Sequence, residues 1–291
     1  MSQTVNDNYP KHNQKELSDD QLKVLALQNY KQEEVRQSKF PTEIIELPSK
    51  GLLYSEESPL RSGKIEMKYM TAREEDILTS ANLIRQGIVL DKLFQSMIVT
   101  PIHYNDLIIG DKNAIMVAAR ILGYGKDYEV SVTCPSCNRT ESVTIDLTTL
   151  DSKEVTLDGL AKMIAPNRFE MELPQSKRIV VFQLLSHGLD SEIDKQLEIL
   201  KKAARKDSID TELTTRLKRL IVSVDGIEEQ PYINNFVDNE LFAMDSRALR
   251  AQIKDVAPDQ PLVFNFECSA CGHEEDGLSF PIETQFFWPG S

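Results

Sequence analysis

The chain has 291 residues, 41% of them hydrophobic, with 46 acidic against 33 basic side chains and a net charge of −13. That composition is enough to bury a core. It argues against a protein that binds along a phosphate backbone, which draws its affinity from clustered Lys and Arg, and so nucleic acid is not expected as a partner. No apolar run approaches the roughly 20 residues that cross a bilayer, and the opening "MSQTVNDNYPKHNQKEL" lacks the apolar stretch of a signal peptide. The expectation is a protein without a membrane partner that works or assembles in a cytoplasm.

Residues 1–40 are polar and poor in aromatics and read as a flexible N-terminal arm. Within it, Ser18 and Gln21 have capping-box spacing ahead of Leu22, Leu25 and Val35, so a helix is expected there against a partner. The section 41–150 opens on "LPSKGLLY", a loop punctuated by Pro48, Gly51, Pro59 and Gly63, which either packs back on the core or offers Leu52, Leu53 and Tyr54 to a partner. The strand "KIEMKYM" follows. Thr71 and Glu74 then form a capping box, and the spacing predicts a helix from Ala72 to about Gly87. "DKLFQSMIV" reads as a second helix, and "HYNDLIIGDKNAIMVAARILGYG" as a third with Asp111 as N-cap and Gly123 as the stop. The period then changes to two in "DYEVSVTC" and "SVTIDL", a hairpin with C-P-S-C at its tip.

The section 151–258 contains an inserted hairpin, "RFEMELPQSKRIVVFQLLS", turning at Pro174–Lys177. Two amphipathic helices follow, with Ile193, Leu197 and Leu200 on one face and Leu213, Leu217 and Leu220 on the other, then a last helix over "FVDNELFAMDSRALRAQIKDV". Residues 259–291 repeat the earlier form: a strand, a C-S-A-C-G knuckle, a returning strand, and an aromatic tail of Phe286, Phe287 and Trp288 that either anchors internally or plugs a partner.

All four cysteines thus sit in two C-x-x-C turns, Cys134 with Cys137 and Cys268 with Cys271. Two such turns supply the four soft ligands of a closed tetrahedral zinc site, which staples and does not catalyse. An iron–sulfur centre or free thiols are the alternatives; a redox C-x-x-C would open a helix, and disulfides fit poorly without a secretion signal. The gap between the pairs is far longer than a compact zinc ribbon, so the ribbon is split by an insertion. The expected fold is α+β, a helical body with short strands and β-hairpins in which a split zinc-ribbon-like site joins two distant hairpins.

Catalytic constellations are thin. His12, His103 and His187 have no partner in sequence, His273 follows the second knuckle where four thiols already suffice, and Ser186, His187 and Asp190 are too close along the chain to converge as a triad. The glycine turns in "LIIGDKN" and "LGYGKD" lack a phosphate-cradling pattern.

Taken together, "LPSKGLLY", "IEMKYMTAREEDILTS", "LIIGDKNAIMVAARILGYG", "DSRALRAQI" and "FFWP" resemble the T4-like baseplate hub family of contractile-tailed bacteriophages, over residues 40 to 291. The resemblance implies a non-enzymatic protein of tail morphogenesis, located in the virion baseplate or in the host cytoplasm during assembly, with other baseplate hub and tail proteins as partners. Members include hub subunits and hub-assembly factors, and no residue here separates the two roles. The rival expectations are a zinc-ribbon regulator binding nucleic acid through "KKAARK" and a metal-dependent hydrolase, which a closed four-cysteine site opposes.

Overall fold

Strand β1 (Thr42–Glu46) pairs antiparallel with β2 (Lys64–Lys68), and alternation along β2 turns Ile65 and Met67 into the core. This is the start of a computed structural model that describes residues 41–203, 211–280 and 286–288. The arm expected over 1–40 lies outside the described residues, as does the end of the "KKAARK" run. The loop between β1 and β2 folds inward: Leu47, Leu53 and Tyr54 are buried, and Tyr54 donates to Asp111 Oδ2 at 2.5 Å while Ser49 N donates to Oδ1 at 2.9 Å. Burial pushes the Asp111 carboxyl up, and the bonds from Tyr54 and Ser49 only partly counter it. Of the two readings of "LPSKGLLY", packing on the core is the one realised: Leu47 and Leu53 are buried and Leu52 half-buried, while the Tyr54 hydroxyl and the Ser49 amide satisfy the buried Asp111 carboxylate.

The helical body follows as α1 (Ala72–Leu78), α2 (Ala81–Arg85), α3 (Val89–Met97) and α4 (Ile109–Tyr124). The single helix expected from Ala72 to Gly87 breaks at Thr79–Ser80, where the Thr79 hydroxyl bonds back to the Glu75 carbonyl at 3.0 Å and ends α1. Helix α4 buries most of its circumference, as a central core helix does. Asp111 is an interior residue of α4 and no N-cap, since Ile108 precedes the helix; the stop is at Gly125, two residues beyond Gly123.

Strands β3 (Asp127–Thr133) and β4 (Thr140–Asp146) form the first knuckle hairpin. Next comes a four-stranded antiparallel sheet in the order β5 (Lys162–Ala165), β6 (Arg168–Glu172), β7 (Ile179–Phe182), β8 (Ile221–Val224). The β6–β7 pair is the hairpin read from sequence. Its two flanking strands are not, because β8 continues the helical pattern of "RLKRL" without a turn signal and only its burial against Phe182 makes it a strand. Between β7 and β8 lie α5 (His187–Ala203) and α6 (Glu212–Leu220), bridged by Arg216 to Asp190 at 3.0 Å and Asp194 at 3.2 Å. Ile193, Leu197, Leu217 and Leu220 are buried, whereas Leu200 and Leu213 are exposed.

After α7 (Gln230–Asn235), a π-turn and α8 (Ala243–Val256), the chain reaches α4 at Pro258, where a Cβ on Gly110 would lie 1.9 Å from the Pro258 carbonyl oxygen, so only glycine admits this approach. Asp259 is locked there by Asn113 at 2.8 Å and by paired backbone bonds with Lys153 at 2.8 and 2.9 Å. Strands β9 (Val263–Glu267) and β10 (Glu274–Ser279) form the second knuckle hairpin. The described residues therefore show an α+β fold with eight α-helices and small antiparallel sheets.

Glu74 ties the body together. Its buried carboxylate accepts from Thr71 N at 3.0 Å, Thr71 Oγ1 at 2.6 Å, Ser96 Oγ at 2.7 Å and Lys68 Nζ at 2.9 Å, joining β2, α1 and α3. The capping box read from sequence is present, and the Thr71 hydroxyl donates to the Glu74 carboxylate in addition. Burial alone would raise this carboxyl, but the four donors outweigh it and hold it at about 2 against an ordinary 4.5. A depressed acid contributes its stability in full above the unfolded value and loses it as pH falls from 4.5 towards 2. Chemical denaturation across that window is expected to show a loss on the order of 3 kcal/mol from this group. Glu74→Gln should flatten that part of the profile, and an unchanged profile would remove Glu74 from this role.

Candidate metal centre

Period-two alternation sets the two inner thiols. In β3, Tyr128, Val130 and Val132 point inward and Cys134 is next on that face; in β9, Phe264 and Phe266 lead in the same way to Cys268. Both are buried, while Cys137 and Cys271, at the far end of each turn, are exposed. The two turns share one hydrogen-bond pattern. Cys134 N donates to Arg139 O and Asn138 N to Cys134 O, each at 2.9 Å; Cys268 N donates to His273 O and Gly272 N to Cys268 O, each at 2.9 Å. The residue after the second cysteine is left-handed in both, Asn138 at φ 57° and Gly272 at φ 67°, which is why Asn and Gly stand there.

The fold brings all four sulfurs to one point, within 4.8 Å of one another. Two approaches run between the hairpins: Cys134 Sγ to Cys271 Sγ at 3.8 Å and Cys137 Sγ to Cys268 Sγ at 3.7 Å. These are far outside the roughly 2.05 Å of a disulfide. Four thiolates at about 2.3 Å from one tetrahedral cation would be separated by about 3.8 Å, so the donor set fits such an ion in chemistry and in spacing. Backbone amides of Ala270 and Cys271 donate towards the Cys268 sulfur and lower its thiol, whereas at Cys137 the Arg139 amide is outweighed by burial and by the three neighbouring thiols, which raise it.

A polar clamp missing from the sequence reading supports the cluster. Glu141 of β4 accepts from Ser269 N at 3.2 Å and from the Ser269 hydroxyl, crossing from one hairpin to the other knuckle, and the Ser269 hydroxyl holds the Glu141 carboxyl below its usual range. Nothing in the sequence pairs positions 128 residues apart. Beneath the knuckles runs an aromatic ladder: Tyr128 meets Phe280 at 5.8 Å and Phe286 at 5.0 Å, and Phe287 meets Phe94 of α3 at 6.0 Å. Phe286 and Phe287 are buried and Trp288 Nε1 donates to Leu78 O at 3.1 Å, so the aromatic tail anchors internally. Arg120 lies over Tyr124, Tyr128 and Phe286 and donates to the carbonyls of Gly125 and Asp127.

Among the described residues no histidine joins the sulfur group. His273 lies 3.9 Å from Glu275, His103 precedes a 3-10 turn, and His12 is outside the described residues. His187 packs edge-on to Tyr104 at 4.8 Å and contacts Lys112 at 3.1 Å, beside Asp91; burial and then the Lys112 charge lower its basicity. The run Ser186, His187, Asp190 does not converge: Ser186 Oγ accepts from Leu189 N and Asp190 pairs with Arg216.

Comparison with curated proteins gives no match, and comparison with solved structures gives none. The family described as T4 bacteriophage base plate protein matches residues 45–288. That single run takes in the inward loop, the helical body, both knuckle hairpins and the aromatic end, and it places the chain in the T4 bacteriophage base plate protein family, making it a phage tail protein.

Proposed function

We propose that the chain is a non-enzymatic baseplate hub subunit or hub-assembly factor, working in contractile-tail morphogenesis through contacts with other hub and tail proteins. The observation that carries this reading is the family match over residues 45–288. The four-sulfur cluster supports the non-enzymatic part, since four thiolates around one cation leave no position for water or substrate. The inward packing of Leu53 and Tyr54 turns most of the apolar surface of the "LPSKGLLY" loop to the core and speaks against that loop as the main contact. The exposed apolar side chains Ile199, Leu200 and Leu213 on α5 and α6 are better placed to meet a partner.

A nucleic-acid regulator draws little support. Lys201 and Lys202, the described lysines of the basic run, face Glu212 at 3.9 Å and Glu198 at 3.4 Å. Gel shifts with duplex and single-stranded DNA at physiological salt are expected to show no specific binding; submicromolar binding with a steep salt slope would promote that rival.

The resident ion of the cluster is zinc, held by Cys134, Cys137, Cys268 and Cys271 in a structural role. Purified protein should carry about one zinc per chain, and Cys134→Ser should lose most of a folding contribution on the order of 10 kcal/mol. A metal ratio near zero, or an unaltered melting temperature in Cys134→Ser, would count against it. For the biological role, a phage lacking the protein is expected to make heads and other tail components yet fail to complete tails at the baseplate hub, as seen by electron microscopy. Proteomics of purified virions then separates a subunit from a departing factor. Intact, infectious tails without the protein would dismiss both roles.

A further inference from the structure

Each buried sulfur of the cluster faces an exposed sulfur of the opposite hairpin. Buried Cys134 lies 3.8 Å from exposed Cys271, and buried Cys268 lies 3.7 Å from exposed Cys137. Cysteines that answer to peroxide have this arrangement, an accessible thiol beside a second thiol able to resolve it. A knuckle hairpin is also a poor candidate for staying in place unaided. β3–β4 and β9–β10 are separate two-stranded sheets with no backbone ladder between them, and each is marginal alone in water. A tail protein retained in the virion would meet a reducing cytosol while it is made and an oxidising exterior afterwards, and its staple would face both conditions.

We infer that the four-thiol cluster is a peroxide-oxidisable staple, in which loss of the ion is followed by Cys134–Cys271 and Cys137–Cys268 disulfides that keep the two hairpins joined. The inference rests on the zinc reading for the starting state, but its pairing pattern does not. The chemistry balances with hydrogen peroxide as oxidant. An exposed thiolate, Cys137 or Cys271, attacks a peroxide oxygen and becomes a sulfenic acid as hydroxide leaves. The resolving thiolate of the other hairpin, Cys268 or Cys134, then attacks that sulfur and expels a second hydroxide. Per bond, two thiols lose two electrons and two protons, and one peroxide is reduced to two waters. The sulfurs must close from 3.7–3.8 Å to about 2.05 Å.

The full chain tests this without substitution. Trypsin cuts after Lys126, Arg139 and Lys254, so Cys134 and Cys137 fall in one peptide, 127–139, and Cys268 and Cys271 in another, 255–291. After peroxide treatment and alkylation of remaining thiols, non-reducing mass spectrometry is expected to find the two peptides joined, with the mass lowered by four hydrogens. Fragmentation should assign the bonds to 134–271 and 137–268. Two separate peptides, each closed internally within its own C-x-x-C, would overturn the proposal, as would pairing of 134 with 268. Metal content measured before treatment decides the zinc reading independently, and the same mapping on reduced, metal-free chain reads the pairing if no metal is found. Oxidised chain should also melt above reduced, metal-free chain; equal melting temperatures would show that the bonds staple nothing.

Discussion

Joining two hairpins whose cysteines are 131 residues apart carries an entropic cost that the rest of the structure has to meet. For a loop of that length the closure term is roughly 5 kcal/mol, and neither two-stranded hairpin has the apolar area to offset it alone. An ion bound by all four thiolates would contribute on the order of 10 kcal/mol, more than that cost. The sulfur cluster is the point at which the tips of two hairpins that share no backbone ladder meet.

Everything around the cluster shortens the search for that closure. Gly110 lets Pro258 approach α4, and Asp259 is then fixed by Asn113 and by Lys153, so the second hairpin leaves the body at a defined point. Glu141 clamps Ser269 near the tip. Phe280, Phe286 and Phe287 carry the chain back into the body below. The second hairpin is thus anchored at its root, its tip and its end, and the insertion loops out between fixed points with its own sheet and helix pair.

The helical body uses buried carboxylates as its joints. Asp111 gathers the inward loop and α4, and Glu74 gathers β2, α1 and α3, each accepting hydrogen bonds from several elements at once. A carboxylate buried in this way is costly unless its oxygens are satisfied, so these positions specify one arrangement of the surrounding segments. The consequence is a body whose segments are joined by satisfied carboxylates as well as by apolar packing.

Periodicity and short-range chemistry made much of this legible from residues alone. The alternation in "DYEVSVTC" and "PLVFNFEC" located both hairpins with the cysteines at their tips, and the repeated C-x-x-C specified a four-thiolate donor set, because donor type and turn spacing are local properties. The Thr71–Glu74 spacing marked the start of α1 for the same reason. Tertiary structure alone decided which face "LPSKGLLY" turns to the core, that Phe286 and Phe287 end inside it, that β8 is a strand, and that Glu141 reaches Ser269. Those outcomes depend on partners tens to hundreds of residues distant, whose meeting is set by packing and burial and leaves no pattern in the neighbouring residues of the chain.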